Sequence, residues 1–184
     1  MSAEPKLIPS SSQTVGPFFR IGLEYLIDGA PSPAAGEGET VTIRGRVLDR
    51  DRAPVPDALL EFWCAAGGSS VNGRPADFPA RFRRVATDFD GRFSVVMTRP
   101  EPVPMDDGTL QAPHMVVLVF ARGLLRHLIS RVYFDGEAGN GSDAVLNGIP
   151  AERRGTLIAQ ADGKDVFRWD VILQGADETV FFAW

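Results

Sequence analysis

The segment Ala112-Pro113-His114-Met115-Val116-Val117-Leu118-Val119-Phe120-Ala121 (APHMVVLVFA, 112–121) is apolar at every position from Met115 onward. Alternate side chains of a strand point to opposite faces, so a short run with no polar face reads as a central strand covered on both sides. Its neighbours are amphipathic instead. Val41, Ile43 and Val47 share one parity while Thr42, Arg44 and Arg46 take the other, as a half-buried strand requires. LLEFWC (59–64) is a further strand, introduced by the turn cluster Pro54, Pro56 and Asp57. ARFRRVAT (80–87) and GRFSVVMT (91–98) flank Asp88-Phe89-Asp90-Gly91, which predicts a hairpin with Gly91 at positive φ. SRVYF (130–134), VFRWDVIL (166–173) and ETVFFAW (178–184) complete the set.

About eight short strands separated by Pro, Gly and Asp predict an all-β fold, an antiparallel β-sandwich with few short helices. One helical turn is expected near Pro150–Arg154. Residues 1–40, rich in Pro, Ser and Gly, read as an extended N-terminal arm with a turn or short helix at IGLEYLID (21–28), an arm expected to pack on a partner chain. Residues 41–184 form the sandwich domain. No internal repeat or second-domain linker interrupts it.

The 184 residues are enough to bury roughly 70% of the extended-chain surface without a staple. The net charge of −5 comes from scattered charges, which gives no footprint for nucleic acid or an anionic membrane. No stretch reaches the roughly 20 apolar residues needed to span a bilayer, and no basic cluster precedes an apolar run at the start; the chain is expected to be soluble and cytoplasmic. The single cysteine, Cys64, excludes an intrachain disulfide and is expected to be a buried, inert thiol.

The chemistry has to be sought among few residues. His114 and His127 are the two histidines, and no nucleophile elbow, phosphate loop or His-Glu-Xaa-Xaa-His helix is present. Asp88, Asp90 and Gly91 resemble the opening of a calcium loop but lack its closing acid, so a plain turn is expected. On a strand, ligands at i and i+2 share a face, which makes His-Xaa-His the natural metal pair. Here that spacing reads His114-Met115-Val116, and valine has no lone pair. A site using His114, His127 and a carboxylate remains conceivable, as does a histidine at a strand edge making ordinary hydrogen bonds.

Taken together, SQTVGPFF (12–19), PVPDALLEFW (54–63), RVATDFDGRF (84–93), APHMVVLVFARGLL (112–125), SRVYFDGE (130–137) and ETVFFAW (178–184) resemble the intradiol ring-cleaving dioxygenases. The resemblance implies an enzyme of two homologous sandwich chains, α and β, of which the β chain alone holds catalytic Fe(III) through two tyrosines and a His-Xaa-His pair. This chain resembles the α type. His114 and Val116 stand at the histidine pair and Val103 at one tyrosine position, so no metal is expected here; the chain's two tyrosines, Tyr25 and Tyr133, lie in other motifs.

By the same resemblance the α chain supplies part of the wall of the partner's active site. That role carries over to Thr14, Gly16 and Pro17 of the arm and to Arg122, whose guanidinium suits a substrate carboxylate. From the residues alone, Arg122-Gly123 reads more readily as an exposed turn, a preference that only the resemblance reverses, Thr14–Pro17 reads as a passive loop, and Arg131 as a rival cation held in a structural ion pair. The implied reaction inserts both atoms of O₂ into 3,4-dihydroxybenzoate, giving 3-carboxy-cis,cis-muconate, in a hetero-oligomer with the β chain. Discounting the resemblance leaves a non-catalytic β-sandwich binding module.

Overall fold

The computed structural model describes residues 11–16, 19–22, 39–64, 70–71, 74–75 and 81–183. Along the chain these form β1 (Thr40–Leu48), β2 (Leu59–Cys64), β3 (Ser70–Val71), β4 (Arg74–Pro75), β5 (Phe82–Ala86), β6 (Arg92–Thr98), β7 (Val103–Pro104), β8 (Leu110–Gln111), β9 (His114–Phe120), β10 (Leu128–Phe134), α1 (Ala144–Gly148), α2 (Ala151–Arg154), β11 (Ile158–Ala161), β12 (Val166–Arg168) and β13 (Val171–Ile172).

Two layers of strand enclose the core. One is ordered β5-β2-β9-β10, all antiparallel; the other is built on β1, which pairs antiparallel with β6 on one side and parallel with β12 and then β13 on the other. β11 joins them, parallel to β10 and antiparallel to β12. Val41, Ile43, Val47, Phe93, Val95 and Met97 of one layer meet Leu60, Phe62, Met115, Val117, Val119 and Phe134 of the other, every one of them buried. The rings of Phe62 and Phe93 touch across this seam with centroids 5.9 Å apart. The period-2 pattern of β1 is therefore the pattern of its burial.

Several expectations are amended. The sheet is mixed rather than purely antiparallel, and the described residues hold thirteen strands, several only two residues long. The Asp88–Gly91 turn is real: Gly91 N–H donates to the Asp88 carbonyl (3.0 Å), Asp88 Oδ1 accepts from the amides of Asp90 and Arg92, and Gly91 has φ +69°. Yet it closes no hairpin, because β5 pairs with β2 and β6 with β1. Local turn chemistry reports that the chain reverses, not which sheet it re-enters. ETVFFAW likewise forms no strand among its described residues beyond a bridge between Phe182 and Ile129. The helical turn expected near 150–154 is α2. Cys64 is half-buried rather than buried, with its thiol 3.8 Å from the Thr98 carbonyl.

VFRWDVIL is divided where β1 passes Gly45. A Cβ there would lie 1.7 Å from the Trp169 carbonyl oxygen, so only glycine admits this approach. The main chain leaves the ladder at Trp169 and Asp170, and the Asp170 carboxylate accepts the Arg46 amide that the ladder leaves over (3.0 Å). Gly45→Ala should lower stability by ~3 kcal/mol, the upper part of the range for overpacking. Gly148→Ala, into open space, serves as the control in thermal unfolding; equal melting temperatures for the two variants would contradict this packing.

Candidate functional site

β9 presents Met115, Val117 and Val119 to the core and His114, Val116, Leu118 and Phe120 to the opposite face. That second face is half-buried, so the strand is covered on both sides as its composition predicts, though less completely on one. The candidate residues gather at its two ends.

At the first end, His114 lies opposite Tyr133 of β10, ring centroids 5.3 Å apart. The imidazole Nδ1 is 2.8 Å from the Ala112 carbonyl, which makes Nδ1–H the donor. Asp143 is fully buried beneath them: Oδ2 accepts from the Ala112 amide (2.8 Å) and Oδ1 from the amides of Val145 and Leu146 (2.9 Å each), capping α1. The Tyr133 hydroxyl donates to Asp143 Oδ1 (3.3 Å) and accepts from Arg131 Nη1 (3.2 Å), which also donates to Gln111 Oε1 (3.0 Å). Arg131 is thus held by hydrogen bonds to neutral groups, where an ion pair was expected.

These groups do not fit ferric iron. Only His114 Nε2 is left open to a ligand once Nδ1–H is bonded to the backbone, Val116 two residues on along the same face has no donor, and the Arg131 guanidinium opposite Val116 would repel a trivalent ion. Burial raises the Tyr133 pKa to about 12, and its hydroxyl is already engaged by Asp143 and Arg131. Val103, on the β7–β8 hairpin, offers no donor either. Tyr133, set aside in the sequence because it sits in another motif, is adjacent to His114; the signal was the strand pairing, which the sequence does not print.

At the second end, the turn after β9 carries Arg122. Gly123 has φ +88°, Leu124 N–H donates back to the Ala121 carbonyl (3.2 Å), and Gly123 N–H donates to Thr14 Oγ1 (2.9 Å). The arm is therefore tied to the arginine loop. Phe19 seals it down, its ring tilted against Phe120 (centroids 4.9 Å apart) and under the Arg84 guanidinium (4.6 Å), itself ion-paired with Glu61 (3.0 Å). Between arm and sheet opens a cavity of about 510 Å³, lined by Gly16, Arg20, Asp57, Phe120 and Arg122 among others. Gly16 and Arg122 thus share one wall. Thr14 does not line it but stands behind it, in an adjoining cavity of about 310 Å³. Pro17 lies outside the described residues, as do Tyr25 and most of the arm. Arg20 and Asp57 were missed, although each falls within or next to a motif singled out in the sequence.

His127 is exposed beside Phe120, at the end of the hairpin away from His114. Six residues of strand, roughly 20 Å, separate them. No shared two-histidine metal site is possible.

A family model described as dioxygenase matches residues 30–175. The chain belongs to the intradiol dioxygenase family. It is 42% identical to the protocatechuate 3,4-dioxygenase α chain of Burkholderia cepacia, over 93% of this chain and 95% of that one. To the α chain of Pseudomonas putida it is 38% identical over 96% and 98%, and to the β chain of Burkholderia cepacia 27% over 77% and 67%. Among solved structures, 3-chlorocatechol 1,2-dioxygenase from Rhodococcus opacus 1CP superposes with a TM-score of 0.62 at 21% identity, covering 91% of this chain and 69% of that one, a likeness of fold. Intradiol dioxygenases use iron; the residues described above are unsuited to it.

Burial is also the main cause holding the His114 pKa below its ordinary value, with Arg131 acting the same way and the Ala112 bond only partly offsetting them. A depressed folded-state pKa means that, below the unfolded value of about 6.5, the unfolded chain binds a proton the folded one refuses. This contribution to stability is full above that pH and is lost as the pH falls below it. His114→Asn keeps an Nδ-type donor and removes the titration. Between pH 6.5 and 5 the wild-type unfolding free energy should fall more steeply than the variant's, by up to about 1.4 kcal/mol per pH unit; parallel profiles would contradict the assignment.

Proposed function

We propose that this chain is the non-metal α subunit of a protocatechuate 3,4-dioxygenase, acting in a hetero-oligomer with an iron-bearing β chain. The observation that carries the reading is the separation within β9: the Arg122 wall and the His114 corner stand at opposite ends of one strand, some 20 Å apart. A carboxylate held by Arg122 therefore cannot belong to a ring held at His114. The wall makes functional sense when it faces a centre on another chain, and identity to named α chains over nearly the whole length supports the same assignment.

In this reading the substrate is 3,4-dihydroxybenzoate, O₂ is the co-substrate and 3-carboxy-cis,cis-muconate the product. The chemistry of ring opening is supplied by Fe(III) on the β chain. This chain binds and orients. Arg122 takes the substrate carboxylate, a planar two-pronged donor against a planar acceptor. Gly16 lets the arm's backbone approach the ring, Pro17 adds a rigid apolar surface, and Thr14 fixes the Arg122 turn through the Gly123 amide. The arm, residues 1–40, closes the edge of the site against the β chain and excludes water, which strengthens the charge pairing inside. The complex is placed in the cytoplasm.

Coexpression with a tagged β chain should yield a stoichiometric complex that cleaves 3,4-dihydroxybenzoate. Arg122→Ala in that complex should lower the ratio of kcat/KM for 3,4-dihydroxybenzoate over catechol by ~2–5 kcal/mol equivalent, with the loss mainly in KM. Failure to copurify, or a ratio untouched by Arg122→Ala, would overturn the proposal.

A further inference from the structure

Among the described residues, the charged side chains of the Arg122 cavity are Arg20, Asp57 and Arg122. They form a chain of alternating sign: Asp57 Oδ1 lies 3.4 Å from Arg20 Nη1 and Asp57 Oδ2 lies 3.5 Å from Arg122 Nη2. One carboxylate thus bridges an arginine of the arm and an arginine of the turn after β9. Both distances exceed the 2.7–2.9 Å of a tight charge-assisted bond. Each guanidinium has five N–H donors, so most of Arg122's remain available to a ligand. The side chains of Arg20, Asp57 and Arg122 are 43%, 52% and 67% exposed in the chain alone.

Asp57 itself is unusually placed. Its φ is +63°, in the left-handed region, and two residues later β2 begins. The carboxylate is therefore projected from the rigid end of a central strand, whereas the two arginines stand on the arm and on a turn. The anion is fixed and the cations come to it.

Resting on the α-subunit reading, we infer that Asp57 is a specificity-determining residue: it is a built-in carboxylate competing with the substrate carboxylate for Arg122 and holding the described part of the wall at a net charge of +1. Arg20 draws Asp57 in the opposite direction and so sets how much of Arg122 the substrate obtains. The chemistry of the reaction gives this arrangement a use. The substrate carries one carboxylate and the product three, so a wall of charge +2 would retain product more strongly than substrate. A wall with one net charge matches the substrate and releases what it becomes.

Loss of Asp57 could act in two opposed ways, by freeing Arg122 for the substrate or by letting Arg122 wander. The half-exposed, long contacts make poor restraints, since such pairs contribute little to order. A full charge some 5–7 Å from the substrate anion acts at any rotamer. The electrostatic effect wins, and the sign follows.

The test uses the assembled α–β complex. Asn tolerates the left-handed backbone, so Asp57→Asn preserves the turn. It should raise the kcat/KM ratio for 3,4-dihydroxybenzoate over catechol about 3–30-fold, through KM, and should lower the inhibition constant of 3-carboxy-cis,cis-muconate by a larger factor. Arg20→Gln should move the same ratio down, because Asp57 then turns wholly to Arg122. Both shifts should shrink at high salt. A merely structural role would move both variants in the same direction. A fall or no change in the ratio for Asp57→Asn, with Arg122→Ala still effective, overturns this inference and leaves the α-subunit reading standing; no effect of Arg122→Ala overturns both.

Discussion

The seating of β9 between β2 and β10 is the constraint from which the rest follows. Met115, Val117 and Val119 are buried without remainder against Phe62 and the opposing layer, each contributing about 1.5–3 kcal/mol by removal from water. Backbone pairing on both edges fixes the register from His114 opposite Tyr133 to Phe120 opposite Leu59. A slip of one residue would turn every core side chain outward. The strand is in consequence a ruler. His114 is fixed at one end, Arg122 just beyond the other, and no rearrangement short of unfolding brings them together.

The two ends differ in electrostatic character. At the His114 end the polar groups satisfy one another: Asp143 caps a helix, receives the Tyr133 hydroxyl and binds a backbone amide, while Arg131 rests on Tyr133 and Gln111. Burial keeps His114 and Tyr133 neutral, and a buried network with its partners in place stabilises this end of the sheet. At the Arg122 end the polar groups are loosely paired, half-exposed and open to a cavity. The first network is complete in itself, and the second has donors to spare.

Much of this was legible in the sequence where a local rule coincides with a global one. The parity of Val41, Ile43 and Val47, the doubly apolar β9, Gly91 at positive φ and the helical turn at Ala151–Arg154 all follow from backbone chemistry within a few residues. What escaped depends on which strands become neighbours. The Asp88–Gly91 turn gave its geometry but not its destination, and the parallel pairing of β1 with β12 and β13 has no local signature. The same limit governs the site. Arg122 and Gly16 were identified as residues of one wall, and they share a cavity; Tyr133 was set aside and Asp57 read only as a turn residue, because pairings from 10 to 65 residues apart bring them to their partners.

The central claim is that this polypeptide supplies a wall and borrows its metal. Iron quantified in the chain purified alone, and again after coexpression with a β chain, tests it directly, with ring cleavage of 3,4-dihydroxybenzoate followed on the same samples. The account predicts negligible iron and no cleavage for the chain alone, and one iron per α–β pair with cleavage for the complex. Stoichiometric iron with activity in the chain alone would contradict it.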